Sequence, residues 1–258
     1  MSFLEHLEAL RWHIVRSLAA IIIIAITVFY FEEWVFENII FAPKQGEFIT
    51  YRFFCSLGES MCFRPPDFDL ITRELGEQFF TSMKVSFWLG LITSFPYVFY
   101  EVWKFIKPGL YKKEQKAARG LVSICSMLFL IGVAFGYYLI TPFAINFLAG
   151  YSVGDTAITA PTLSSYVSYM TMFTVPTGIA FELPIIVYFL SKIGMLKPSS
   201  TRKFRKHAFI VILLLAAIIT PPDVITQILI GIPIFILYEI SIIVSARVDK
   251  KRQAEEKE

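Results

Sequence analysis

Residues 14–31 read IVRSLAAIIIIAITVFYF, an apolar run whose single charge, Arg16, stands near its start. An α-helix of roughly 20 mostly apolar residues crosses a hydrocarbon core of about 30 Å, and this run has that character. The block IIIIAI at 21–26 does not alternate. It is therefore no strand of a membrane β-barrel, whose segments of about ten residues alternate apolar and polar side chains. Five more apolar stretches follow, so spans are expected at about 14–31, 79–106, 120–140, 166–189, 208–220 and 224–245. No small-residue cleavage site separates the first run from Glu32 and Glu33, which makes it a retained span and not a removed signal.

Composition agrees. Of 258 residues 56% are apolar and 17% charged, with a mean hydropathy of +0.62, whereas a soluble domain carries about 25% charged residues. The chain is predicted to be an all-α integral membrane protein with six transmembrane helices, one polytopic domain over 1–258. Only the tail at 247–258 reads as unstructured. Apart from Lys84 within the second span, the Lys and Arg residues cluster by side. Arg11 and Arg16, the second and fourth connections and the tail hold most of them; Lys44, Arg52, Arg64 and Arg73 alone lie in the first connection. By the positive-inside rule both termini are cytoplasmic. The net charge of +3 hides this asymmetry and says nothing of nucleic acid.

The fifth and sixth spans are short. The uncharged run 208–220 covers roughly 20 Å at 1.5 Å per residue, and the apolar run between Gln227 and Glu239 is shorter still. Such a pair thins the bilayer, relies on snorkelling Arg205 and Lys206, or packs beside other helices. The first connection, 32–78, is too long for a plain linker and carries Tyr51, Phe53, Phe54 and the Pro65-Pro66 turn, so an ordered extracytoplasmic cap is expected. Cys55 and Cys62 lie in it, either bridged or as two free thiols; a bridge there contributes about 2–3 kcal/mol in the chain-entropy model. Cys125 reads as a small membrane-buried side chain.

Ionisable groups inside spans cost about 2.5–3.5 kcal/mol at a helix centre, so each is a site hypothesis. Glu101 and Glu239 read as helix-end anchors reaching headgroup water, and Lys84 as a structural pair-former near the outer end of its span. Glu182 differs. It sits in GIAFELPIIVYF, 178–189, two residues before Pro184, whose ring frees the carbonyl of Ala180. A carboxyl group beside a freed carbonyl makes a polar notch suited to a polar residue of a partner helix, or to a proton. Outside the membrane, residues 1–13 form an amphipathic cytoplasmic helix, with Phe3, Leu7 and Leu10 on one stripe and Glu5 and Glu8 on a neighbouring face. Glu114 is the acid of an otherwise basic loop, where a solvated salt bridge is its ordinary role. No HExxH, nucleotide-binding glycine pattern or Ser-His pairing is present. The chain reads as no enzyme, and no metal or cofactor is implied.

Six segments together resemble the TatC subunit family of twin-arginine translocases: HLEALRWH (6–13), FAP (41–43), EVWKFIKPGLYKKE (101–114), FELP (181–184), TPPDVITQ (220–227) and IPIFILYEIS (232–241). The resemblance implies a multi-pass protein of the bacterial inner membrane. Such a protein binds signal peptides with consecutive arginines and hands folded cargo to a pore built with single-span partners of TatA and TatB type, drawing on the proton gradient. It also implies a homo-oligomer within the receptor complex. Carboxylates bind guanidinium in bidentate fashion but meet lysine as a point charge, so acids at the inner surface select arginine. The resemblance places Glu114 on the family's loop acid and makes Phe105 and Pro108 shapers of that loop. The family's N-terminal acid falls where this chain has Ala9. Glu8, about 100° around the helix, or Glu5, one turn earlier, replaces it. Glu182 and Gln227 become contacts for partner helices, while Pro43, Lys84, Pro184, Asp223 and Glu239 take structural roles. The long cap with two cysteines departs from the commoner form. A proton-coupled secondary transporter using Glu182 is the rival reading, although no repeat relates the two halves.

Overall fold

A computed structural model describes residues 3–65, 67–109, 120–151, 160–192, 202–219 and 224–255. Glu114 and Asp223 lie outside them, as does the side chain of Glu5. Among the described residues the architecture is helical, with one isolated parallel bridge between Ile71 and Thr162. The elements are α1 (Phe3–Tyr30), α2 (Glu32–Val35), α3 (Ile49–Leu57), α4 (Glu77–Ile106), α5 (Leu121–Phe135), α6 (Thr141–Gly150), α7 (Leu163–Ala180), α8 (Leu183–Lys192), α9 (Arg205–Ile219) and α10 (Val224–Glu255). Five stretches are long and apolar enough to cross a membrane: His6–Tyr30, Glu77–Gly109, Leu121–Gly150, Leu163–Ser191 and Ile230–Arg247. The sixth transmembrane helix is α9, whose 15 residues rise only about 22 Å.

Several boundaries differ from the sequence reading. The N-terminal amphipathic segment is no separate helix: α1 runs unbroken from Phe3 through the first span. The third span does not stop at 140. It passes through a π-turn, Phe36–Ile40 having its counterpart in Gly136–Ile140, and continues as α6. The fourth breaks at Phe181 and Glu182, where α7 gives way to α8. The tail expected to be unstructured continues α10 as helix to Glu255, a sequence rich in Lys, Arg, Gln, Ala and Glu that favours helix once a long apolar helix has nucleated it.

The third span survives its proline because two hydroxyls take up what the irregularity releases. Pro142 has no N–H for the carbonyl of Tyr138, and the Thr50 hydroxyl of α3 donates to that oxygen. Thr141 Oγ1 donates to the Gly136 carbonyl at 2.9 Å. The π-turn after α2 is held the same way: Tyr137 Oη donates to the Ile39 carbonyl at 2.6 Å and Tyr166 Oη to the Ile40 carbonyl at 2.9 Å.

These bonds seat the cap, 32–78, on the ends of the spans. Tyr51 is 0% exposed and donates to the carbonyl of buried Pro43 at 2.9 Å; burial pushes its phenol above the ordinary tyrosine range, so it stays a donor. Phe54 and Phe63 pack on Phe143 with centroids 5.2 and 4.4 Å apart. A disulfide joins Cys55 to Cys62 beside them. The Ser82 hydroxyl donates to Glu32, tying α4 to α2.

The apolar packing forms three clusters stacked along the bundle. One lies beneath the cap around Val35, Phe68, Val85 and Tyr166. A central one joins Ile140 and Phe173 to Ile212, Ile230 and Ile234 of α9 and α10. The third, at the far end, holds Leu121 and Cys125 against Trp103 and Tyr188. Within their apolar windows α1 is 6% buried and the α7–α8 span 50%, so α7 is the central post and α1 a peripheral helix facing lipid. Close approach of α5 to α7 needs Gly132 and Gly136, four residues apart, the spacing of small-residue membrane interfaces. A Cβ on Gly136 would meet Phe173 O at 2.7 Å and Thr174 Cα at 2.8 Å, both backbone atoms.

Gly136→Val should therefore destabilise by about 1–3 kcal/mol through overpacking, read as a lower unfolding temperature in detergent by tryptophan fluorescence. Gly150→Ala, where a Cβ meets nothing within 4 Å, should leave that temperature within the range of an ordinary surface change, about ±0.5 kcal/mol.

Candidate functional site

At the end of the bundle away from the cap, the start of α1 lies along the last turns of α4. His6 and His13 are seven residues apart, nearly two turns, and so share a face. His6 stacks on Phe105 with ring centroids 4.4 Å apart and planes at 25°, and His13 meets the same ring edge-on at 6.0 Å. His13 Nδ1 lies 2.5 Å from Glu101 Oε2, with Glu101 only 3% exposed. The anchor reading of Glu101 is thereby corrected: its carboxylate is buried between two helices and does not reach headgroup water. Phe105 is clasped by two imidazoles, one turn before Pro108.

The N-terminal acids stand around this contact differently. Position 9 lies between His6 and His13 in helical register, about 50° from the face that meets Phe105, whereas position 8 is turned about 150° away. Among the described residues Glu8 pairs only with its helix neighbour Arg11, at 3.6 Å with both side chains 67% exposed. An exposed pair of this kind contributes little to folding and leaves the carboxylate available.

The second candidate is Glu182. Glu182 N–H donates to the Ile179 carbonyl at 3.0 Å, and the Glu182 carbonyl accepts from Ile185 and Ile186 at 3.0 Å each, so the turn is bonded through its backbone. The side chain is buried at 8% exposure with Oε1 lacking a hydrogen-bond partner among the described residues. The Cys125 thiol of α5 lies against the carboxyl group. By helical rise the residue sits roughly 28 Å from Leu163 and roughly 14 Å from Ser191. An orphaned carboxylate oxygen in hydrocarbon is costly, and polar contact from a further helix or a proton relieves it.

The remaining sequence candidates are scattered. Gln227 Nε2 donates to the Leu213 carbonyl at 3.1 Å, linking α10 to α9. Glu239 accepts from Arg205 Nη2 at 2.6 Å, closing the same pair at its other end. Lys84 donates to Ser168 Oγ at 2.7 Å between α4 and α7, and Pro184 is buried at the start of α8. The His13 to Glu101 pair went unread because the partners lie 88 residues apart and only the α1–α4 packing joins them.

Comparison with known proteins bears on this arrangement. The family model described as "Sec-independent protein translocase protein (TatC)" matches residues 5–233. The Sec-independent protein translocase protein TatC of Blattabacterium sp. subsp. Periplaneta americana is 39% identical, over 98% of this chain and 97% of its own length. Those of Desulforapulum autotrophicum and Aquifex aeolicus are 36% and 35% identical, covering 99% and 98% of this chain and 88% and 98% of theirs. A crystal structure described as the twin-arginine translocase receptor TatC superposes with a TM-score of 0.74 at 34% identity, over 94% of this chain and 99% of that one. With six membrane helices in the same arrangement and matches that span nearly its full length, the chain belongs to the TatC family of Sec-independent protein translocase proteins.

Proposed function

We propose that this chain is the signal-peptide receptor and core subunit of a twin-arginine translocase, exporting folded proteins across the bacterial inner membrane with the proton gradient as energy source. The observation that carries the reading is the clasp of His6, His13 and Glu101 around Phe105. It fixes the acidic start of α1 against the end of α4, from which the loop bearing Glu114 departs. Glu8, Glu5 and Glu114 then present carboxylates from adjacent elements to two consecutive guanidinium groups, and Phe105 with Pro108 sets the direction of the loop. The basic residues around this end of the bundle support a cytoplasmic setting for both termini. From here the apolar part of the signal slides along the inner face toward Glu182, which with Gln227 meets the helices of single-span partner subunits of TatA and TatB type. Several copies of the chain assemble in the receptor complex.

Two outcomes test this. A hydrogen bond to a charged group contributes about 1.5–3 kcal/mol, so Glu8→Gln with Glu114→Gln should weaken crosslinking of a twin-arginine peptide roughly 10- to 100-fold. Twin-lysine peptides should bind poorly to both forms, and salt should weaken the wild-type interaction. Unchanged crosslinking in the double variant places docking elsewhere. Separately, Glu101→Ala should release the start of α1. Spin labels at Leu7 and Lys104 should show a broadened distance distribution, with the helical content of the bundle unchanged.

A further inference from the structure

The seam between α4 and α7 is used neither by the peptide-docking surface nor by the Glu182 notch. At its cap end is a cavity of about 340 Å³ whose lining includes Arg73, Glu74, Glu77, Thr81, Lys84 and Ser164. Farther along the same two helices is an apolar hollow of about 50 Å³ lined in part by Trp88, Ile92, Thr171 and Val175. The hydrogen bond from Lys84 Nζ to Ser168 Oγ stands between the two.

The charges in the upper cavity are not equivalent. Both oxygens of Glu77 are occupied by backbone donors, Oε2 by Arg73 N–H at 2.7 Å and Oε1 by Ser164 N–H at 2.9 Å. That carboxylate straps the start of α4 to the start of α7. Glu74 stands exposed at the rim. Ser168 gives its proton to the Ser164 carbonyl at 2.5 Å, so toward Lys84 it is only an acceptor. Among the described residues Lys84 therefore keeps two of its three N–H donors uncommitted, and no carboxylate lies within ion-pair distance of it. Seven residues beyond Glu77, it stands about 10 Å farther along the helix. Among the described residues the ammonium group is thus held by one neutral hydroxyl, with no carboxylate in direct ion-pair contact, a costly state for a charge in a span.

From mouth to interior the seam presents exposed charge, then a cation with free donors, then apolar wall. A phospholipid has the same sequence of parts: a hydrated headgroup, a phosphodiester with two free acceptor oxygens and one negative charge, and an acyl chain. We propose that the α4–α7 seam binds one phospholipid from the leaflet on the cap side. Its phosphodiester accepts from Lys84, Arg73 adds positive charge at the mouth, and one chain lies along Trp88, Ile92, Thr171 and Val175.

Native mass spectrometry of the purified full chain in detergent, with phosphatidylglycerol or phosphatidylcholine added, tests this. The wild type should retain one lipid of either kind, because the shared phosphodiester is what is recognised. Lys84→Gln should lower that occupancy by about tenfold or more, as loss of a charge-assisted contact does. Lys84→Arg should keep it, and Lys203→Gln, at the opposite end of the bundle, should leave it unchanged. Undiminished occupancy in Lys84→Gln overturns the proposal. So does displacement of the lipid by millimolar inorganic phosphate, which would make the site one for a free anion. A phospholipid with a photoreactive acyl chain gives a readout on the wild type alone. Labelling should map to the peptide containing Trp88 and Ile92, and labelling confined to other helices overturns the proposal even where Lys84→Gln fails to fold.

Discussion

In hydrocarbon no water replaces a lost backbone partner, so every carbonyl freed by a proline or a π-turn must be met from within the protein. This constraint decides where irregular backbone occurs in the structure. The hydroxyls of Thr50, Thr141, Tyr137 and Tyr166 each meet a carbonyl at a bend. Three of these bonds, at two bends, join the cap to the membrane helices. Cap and spans thus trade bonds where each loses regularity: Thr50 of the cap donates to Tyr138 of the third span, while Tyr137 and Tyr166 of the membrane helices donate to Ile39 and Ile40 of the cap. Aromatic packing of Phe54 and Phe63 on Phe143, beside the Cys55–Cys62 disulfide, holds the helix that carries Thr50 in position.

The number and kind of the spans were legible because twenty apolar residues in a row have one stable arrangement in a bilayer. Their ends were less so. The third span was drawn to 140 from its apolar run; its continuation past Pro142 depends on Thr50, 88 residues in sequence from the Tyr138 carbonyl it meets. Glu101 shows the same limit at the candidate site. Its place toward the end of its span suggested an anchor reaching headgroup water, and only the packing of α1 on α4 puts His13 against it. Glu182 was legible as a notch, since the proline two residues on is local information. That its Oε1 is orphaned depends on which side chains of α5 face it, and no local pattern carries that.

The two candidate regions differ in how they hold charge. At the α1–α4 end, Glu101 is matched by an imidazole and buried, whereas Glu8 is exposed beside Arg11. At Glu182 the carboxylate is buried, and its Oε1 lacks a hydrogen-bond partner among the described residues. A surface that is completed internally suits reversible capture of a soluble peptide, whereas a group left incomplete in hydrocarbon suits contact with another helix.

The unbroken course of α10 has a mechanical consequence. Its 32 residues measure about 48 Å, well above the roughly 30 Å of hydrocarbon. The final turns accordingly stand off from the lipid surface as a stiff mast. A reporter fused to such an end has its distance and bearing set by the rod, so its orientation follows any tilt of the last membrane helix.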